Sequence, residues 1–187
     1  MKYNTRFGTA LTDCVLMTSR DGYNFKRWDE AFVSAGPERL YNWCYGDGYA
    51  AYGLIETKSG RAGGPNELSI YVPTNYWSVP REIERFVIRV DGFFSYGAPY
   101  SGGWLLTKPM IYSGSTLSLN FATSAFGGIT ATITDDAGGE YRSYPIFGDS
   151  LDRKVAFEGL DLGALSGKPV RLRFDMSDAR VYSFKFE

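Results

Sequence analysis

The chain has 187 residues, enough for one large domain or two small ones with a core that needs no metal or disulfide. Its 20 Lys and Arg balance 21 Asp and Glu, and no segment concentrates basic residues, so we do not expect nucleic acid as a partner. The absence of histidine excludes catalytic dyads built on that residue and removes the commonest metal ligand. Aromatic residues make up 17% of the chain and 22 glycines supply turns, a composition that favours β-sheet.

The two cysteines, Cys14 and Cys44, are too few for a disulfide framework and lack the spacing of a zinc site. We interpret both as small core residues, and we expect no cofactor. No apolar run approaches the ~18 residues of a membrane span, and the first residues are polar. We therefore expect neither a membrane-spanning helix nor a signal peptide in this sequence.

The first half of the chain predicts short antiparallel strands. Residues 9–18 form a strand that the turn at Asp21-Gly22 connects to a return strand at 23–28. Residues 34–48 lack a sustained period and are rich in glycine and aromatic residues, which predicts an irregular loop. A meander of four strands follows, and four such strands would make one propeller blade; they are predicted at 49–57, 67–73, 83–90 and 93–96.

The Gly-, Pro- and Ser-rich stretch at 97–103 predicts a domain boundary. Residues 1–97 are thus assigned to propeller-blade-like antiparallel strands and residues 98–187 to a C-terminal β-sandwich. A single helical turn is expected near 160–165. The second group of strands is predicted at 104–111, 116–123, 129–135, 153–158, 169–176 and 181–186.

Several segments resemble one family of bacterial proteins. The run from Ser166 to Phe186, with Ile146 to Asp149 before it, resembles the terminal β-sandwich of five-bladed propeller proteins related to glycoside hydrolase families 32 and 43. Residues 18–32 and 85–92 are similar to the closing blades of the same propeller. The resemblance predicts an all-β fold in which partial β-propeller blade strands precede a jelly-roll-like β-sandwich.

The resemblance also bears on activity and location. It covers only the tail of the family's architecture, whose catalytic carboxylates are spread over the inner strands of different blades, and so it supplies no catalytic residue here. Relatives that degrade polysaccharides are commonly exported, which favours a periplasmic or secreted location. Residues 19–25 are similar to an aspartate-box hairpin, in which Ser and Asp side chains bind the turn backbone and an aromatic residue packs beneath.

Aromatic residues interleaved with Asn and Asp predict the candidate ligand site. Sugar rings stack their apolar faces on aromatic side chains, while Asp and Asn bind the hydroxyl groups. A plain structural role for the same residues, as core or loop filling, is left open. The candidate ligand-binding residues are Tyr41, Asn42, Trp43, Asp47, Tyr49, Tyr52 and Tyr76.

Other acidic residues are interpreted as structural. Asp13, Asp47, Glu56 and Glu67 lie on or beside blade strands, where each is expected in a turn or on a solvated face rather than in catalysis. Four aspartates of the sandwich match no calcium-loop spacing, so no metal site is predicted; they are Asp149, Asp152, Asp161 and Asp175.

Three functions remain open from the sequence. The first is a noncatalytic carbohydrate-associated domain or fragment of a glycoside hydrolase-like protein. The second is a glycoside hydrolase completed by a missing N-terminal half or by a second copy, because exposed blade edges favour homo-oligomers. The third is an independent carbohydrate-binding module with an exposed aromatic platform, for which the candidates are Trp104, Tyr112, Tyr141 and Tyr144.

Overall fold

The computed structural model describes residues 11–38, 42–43, 46–76 and 81–187. The protein is all-β, as the sequence predicts, and its strands pair in antiparallel sheets. The chain forms two compact units, Met1–Ile88 and Arg89–Glu187. The sequence predicts the boundary after residue 97, whereas the second unit begins at Arg89.

A two-stranded sheet opens the first unit. Strand β1 (Cys14–Ser19) pairs with β2 (Phe25–Val33), so the predicted hairpin is confirmed. The return strand begins at Phe25 rather than Tyr23, because the Ser19 hydroxyl and the Asp21 carboxylate bind backbone N–H groups of residues 21–24 and hold a wider turn.

A three-stranded sheet follows, in the order β3 (Ile55–Thr57), β4 (Glu67–Thr74), β5 (Glu82–Arg89). The predicted meander is thus confirmed for three strands. The fourth strand, predicted at 93–96, is wrong: residues 90–93 form a turn, and the strand that follows pairs in the second unit. Strand β3 is also shorter than predicted, because Gly53 takes a positive φ angle of 90° that interrupts extended backbone.

The core of the first unit is small in the part of the chain that the structure describes. Its buried residues are Val33, Ile70 and Val72, and the half-buried Cys14 and Phe86 pack against them. Cys14 is a free thiol in the core position that the sequence predicts. Cys44 lies outside the described residues.

The second unit contains one seven-stranded antiparallel sheet with two long central strands. Its strands are β6 (Tyr96–Ala98), β7 (Gly103–Leu106), β8 (Met110–Ile111), β9 (Leu117–Asp135), β10 (Glu140–Arg142), β11 (Asp149–Val155) and β12 (Pro169–Phe186). β9 and β12 pair along most of their length. β10 and β11 flank β9, and β6, β7 and β8 flank β12.

Each long strand was predicted as two strands. The register between β9 and β12 shifts between Ser177 and Ala179, where Asp178 takes a positive φ of 42°. Such a bulge bends a strand without ending it. The pairing therefore continues through the bend, and the two halves of the sheet enclose one core in the manner of a sandwich.

Alternate residues of the long strands build that core, as expected for strands with one solvated face. Phe121 and Phe174 are fully buried, whereas Phe184 and Phe186 are half-buried against the same cluster. Residues of β9 and β12 with no exposed surface are Leu117, Leu119, Phe121, Ala131, Ile133, Leu172 and Phe174.

The predicted helical turn is confirmed as a 3₁₀ turn at Leu162–Leu165. Asp161 precedes it and accepts a hydrogen bond from the backbone N–H of Gly163, which caps the turn. Across the described ranges, none of the helical structure has the length and apolar character that a membrane-spanning helix requires.

Candidate functional site

A cleft of about 200 Å³ lies in the first unit. Its apolar base is formed by Val33, Val72 and Phe86, which belong to or pack against the small core. Polar side chains surround that base: Asn42, Asp47, Thr74, Asn75, Glu82 and Glu84. An apolar base with convergent polar groups is the usual composition of a small-molecule site. We call this feature the acidic cleft.

Strand β5 places two carboxylates at the acidic cleft. Glu82, Glu84 and Phe86 alternate along the strand, so all three share one face, with neighbouring Cα atoms about 7 Å apart. The Thr74 hydroxyl donates to Glu84 at 3.3 Å, and the Asn75 amide donates to Glu82 at 3.2 Å. Both glutamates remain exposed and keep carboxylate lone pairs for further donors.

Asp47 is buried, with 4% of its surface exposed. Its carboxylate accepts hydrogen bonds from the backbone N–H groups of Asn75 at 3.1 Å and Tyr76 at 2.7 Å. Asn75 takes a left-handed φ of 56° there, and the carboxylate stabilises that turn after β4. Asp47 therefore shapes the wall of the acidic cleft.

Asn42 has a similar architectural role. Its side-chain amide donates to the carbonyl oxygens of Ala35 at 2.9 Å and Pro37 at 2.8 Å. The neighbouring Trp43 donates its indole N–H to the Gly36 carbonyl at 2.9 Å. These bonds hold residues 34–37 beside the acidic cleft, where Ser34 and Ala35 belong to the lining.

The structure brings together only part of the predicted ligand site. Asn42 and Asp47 line the acidic cleft, whereas Trp43, Tyr49, Tyr52 and Tyr76 are absent from the lining that the structure describes. Tyr49 and Tyr52 are exposed. The ring of Tyr76 instead lies 5.0 Å from the guanidinium of Arg81. Tyr41 lies outside the described residues.

Glu82 and Glu84 were not predicted as site residues. The alternation of polar and apolar residues at 82–86 predicts a strand. It does not predict which face of that strand borders a cleft. Thr74 was missed for the same reason, since its place depends on the pairing of β4 with β5.

Two of the glutamates that the sequence assigns to turns or solvated strand faces rather than to catalysis have structural partners. Glu67 accepts from the Ser59 hydroxyl at 2.7 Å and pairs with Arg85 at 3.4 Å. Glu56 accepts from the side-chain amide of Asn66 at 2.7 Å. These contacts support the interpretation of Glu56 and Glu67 as sheet and turn residues.

The four aspartates whose spacing was compared with calcium loops also have partners. Asp149 pairs with Arg89 and Asp175 with Arg173, while Asp152 lies 3.7 Å from the Lys185 ammonium. Asp161 caps the 3₁₀ turn. In the described ranges no three His, Cys, Asp or Glu residues are grouped so that they could hold a metal ion.

Two of the four candidate platform residues of the second unit are not exposed in the structure. Tyr112 is 7% exposed, because its ring packs in the core and stacks on Phe186. Its hydroxyl donates a hydrogen bond to the buried Leu162 carbonyl. Tyr141 is half-buried against the core. Of the four candidates, Trp104 and Tyr144 are exposed.

A scan against models of known protein families finds no match, and neither curated proteins nor solved structures yield one.

Proposed function

We propose that this chain is a noncatalytic carbohydrate-associated part of a glycoside hydrolase-like protein, and that its acidic cleft binds one sugar residue. The observation that carries the proposal is the pair of exposed carboxylates, Glu82 and Glu84, above an apolar base. A carboxylate can accept two hydrogen bonds from adjacent sugar hydroxyls. Such charge-assisted hydrogen bonds are stronger than hydrogen bonds between neutral groups.

The size and base of the acidic cleft support the same ligand class. Its volume of about 200 Å³ is below the roughly 300–1,000 Å³ of sites that enclose drug-sized ligands, which favours a single small polar group. Phe86 offers an aromatic surface to the apolar face of a sugar ring. The family resemblance in residues 166–186 supports the connection with polysaccharide-degrading proteins.

The carboxylate environment favours binding over catalysis. Glycosidic cleavage generally needs one carboxyl group that its surroundings keep protonated, most often by burial. Glu82 and Glu84 are instead exposed, with Asn75 and Thr74 as their hydrogen-bond donors. Asp47 is buried, but backbone donors occupy both of its oxygens.

The test is calorimetric titration of the whole chain with fructo- and arabino-oligosaccharides. We expect Glu84→Gln and Glu82→Gln each to weaken binding about ten-fold, since an amide loses the charge-assisted hydrogen bonds. Glu30→Gln, at an exposed position on β2, is the matched control and should bind as the parent does. Equal binding by the parent and by the Glu82→Gln, Glu84→Gln double variant would remove the basis of the proposal.

Hydrolysis is the competing function, and one observation favours it. Two carboxylates on one strand face, with Cα atoms about 7 Å apart, can adopt the separations that glycosidases use. The same oligosaccharides, incubated with the chain and assayed for newly formed reducing ends, separate the two functions. Turnover that disappears in the double variant would establish the enzyme instead.

We propose that a second copy of the chain pairs with an exposed strand edge. β5 is an outer strand of its three-stranded sheet, and Ile83 and Val87 are exposed on it. Exposed apolar edge strands favour pairing with another chain. Light scattering during size-exclusion chromatography should show a dimer that Val87→Lys converts to monomer, and a monomeric parent would contradict this part of the proposal.

A further inference from the structure

The outer face of the second unit's sheet combines exposed aromatic and basic side chains. Leu105 on β7, Ala131 on β9 and Phe174 on β12 belong to or pack against the core, so residues one position away lie on the opposite face. We call this surface the Trp104 face. Its residues are Trp104, Thr130, Thr132, Thr134, Glu140, Arg142, Tyr144, Arg171, Arg173 and Asp175.

The strand register arranges these side chains in rows. One row runs from Trp104 to Asp175 to Thr130, and its neighbour runs from Arg173 to Thr132 to Arg142. Strands lie about 4.8 Å apart, which places Arg173 and Arg142 about 10 Å from each other. The Trp104 face is therefore a regular array of mostly polar side chains.

Tyr144 extends the first row at the end opposite Trp104. Ser143 donates its backbone N–H to the Ala131 carbonyl, and Ile146 forms the next bridge, to Ile129. Tyr144 therefore lies in the two-residue segment opposite Thr130, where its own N–H donates to the Ala156 carbonyl. Trp104 is 63% exposed and Tyr144 is 56% exposed, and three strand spacings separate them by about 14 Å.

Trp104 contacts a charged neighbour that restricts its ring. The Arg173 guanidinium lies 5.2 Å from the indole centroid. Arg173 is itself held by the Asp175 carboxylate, which accepts from its Nε and Nη2 atoms at 3.0 and 2.6 Å. A ring held in place before binding loses little conformational freedom when a ligand stacks on it.

Two arginines of this face have no carboxylate partner within the part of the chain that the structure describes. Among residues 81–187, Arg142 and Arg171 make no ion pair, in contrast with Arg173. Both are exposed. A guanidinium offers a planar fork of donors that matches a carboxylate, so these two positions favour a ligand that carries that group.

We infer that the Trp104 face binds an acidic polysaccharide, with sugar rings stacked on Trp104 and Tyr144 and uronate carboxylates paired with Arg142 and Arg171. Threonine hydroxyls between the two aromatic residues supply hydrogen bonds to the sugar hydroxyls. Single-stranded nucleic acid is disfavoured, because two separate arginines do not form the continuous basic groove that follows a phosphate backbone. The Trp104 face belongs to the second unit, whereas the acidic cleft belongs to the first.

The test is affinity electrophoresis of the whole chain in native gels that contain polygalacturonate, alginate or neutral dextran. We expect retardation by at least one of the two acidic polymers, weaker at high salt, and none by dextran. Trp104→Ala and the Arg142→Gln, Arg171→Gln double variant should each weaken it about ten-fold or more. The matched controls are Phe126→Ala, at an aromatic residue that is 89% exposed in another part of the unit, and Arg180→Gln.

Each outcome decides for or against the inference. Retardation that is lost in the Trp104 and arginine variants and kept in both controls supports it, provided that all variants melt at the parent's temperature. Absence of retardation by both acidic polymers overturns it, as does equal retardation by dextran. Tighter binding of oligothymidylate in a parallel gel would assign the surface to nucleic acid instead.

Discussion

The guanidinium of Arg89 donates a 2.6 Å hydrogen bond to the side-chain oxygen of Asn120, a residue of β9 that is almost completely buried. Asn120 in turn donates its amide to the Val90 carbonyl at 2.9 Å. The same guanidinium donates to the carbonyl oxygens of Phe121 at 3.0 Å and Ser150 at 2.6 Å. Arg89 thus connects β9 and β11 from the outer side of the sheet.

We expect Arg89→Ala to lower the free energy of unfolding of the second unit by about 2–4 kcal/mol, because several polar groups lose their partner in a poorly hydrated position. Hydrogen–deuterium exchange of peptides from β9 and β11 measures this effect within the unit. Arg171→Ala, which removes an arginine without an ion pair, should leave the exchange almost unchanged. Equal effects of the two substitutions would contradict the prediction.

The Asp21 carboxylate should titrate far below an ordinary aspartate. Hydrogen bonds from Asn24, Tyr23 and Ser19 hold the pKa of Asp21 well below its usual value. A depressed folded pKa means that the carboxylate stabilises the β1–β2 hairpin above the unfolded pKa of about 3.9, and that this contribution is lost as the pH falls through the folded pKa. The amide resonances of Tyr23 and Asn24 should therefore stay unchanged between pH 5 and pH 3.

Asp21→Asn provides the comparison for this titration. The amide cannot ionise, so any change that the hairpin resonances of this variant show below pH 4 belongs to other groups. A midpoint near the ordinary aspartate value in the parent protein would show that the turn does not hold the carboxylate as the structure describes.

The aspartate-box comparison was correct for the polar residues and wrong for the aromatic one. Ser19 and Asp21 bind the turn backbone, as the spacing of short polar residues around Gly22 predicts. Tyr23 is 90% exposed and Phe25 is also exposed, so neither packs beneath the turn. Local hydrogen bonding can be read from a sequence, whereas the surface that an aromatic ring covers depends on distant strands.

The same distinction explains the long strands and the acidic cleft. Alternation in 117–121 and 170–176 predicts the core positions of β9 and β12, but the bulge at Asp178 has no sequence signature that separates a bend from a chain break. In the acidic cleft, Glu84 meets Thr74 only through the pairing of neighbouring strands. Asn42 and Asp47 were identified as polar residues among aromatics, yet their bonds to backbone groups require the folded loop.

Gly127 should not tolerate a side chain. A methyl group there would overlap the Asp178 carbonyl oxygen and lie 2.9 Å from that of Ser177, and backbone atoms cannot move aside as a flexible side chain can. We expect Gly127→Ala to cost about 1–3 kcal/mol in thermal unfolding. Gly97→Ala is the control: its methyl group would meet the Arg180 Cγ atom at 3.7 Å, an ordinary contact, and its melting temperature should stay close to that of the parent.

Tyr112 should make the second unit sensitive to alkaline pH. Its hydroxyl donates to the Leu162 carbonyl at 2.6 Å, and its ring centroid lies 3.9 Å from that of Phe186. Burial, with a smaller contribution from the negative charge of Asp161, raises the pKa of Tyr112 above its ordinary value. The folded state then retains its proton at a pH where the unfolded chain releases it.

The stability that comes from this difference is fully present below the unfolded pKa of about 10 and is lost as the pH rises through the folded pKa. Tyr112→Phe should cost about 1 kcal/mol at pH 8, because the Leu162 carbonyl loses its donor, and should lose less further stability than the parent by pH 11. Urea unfolding at the two pH values measures both effects, with Tyr144→Phe as the exposed control. If the two proteins lost stability in parallel above pH 10, the alkaline sensitivity would have to come from groups other than Tyr112.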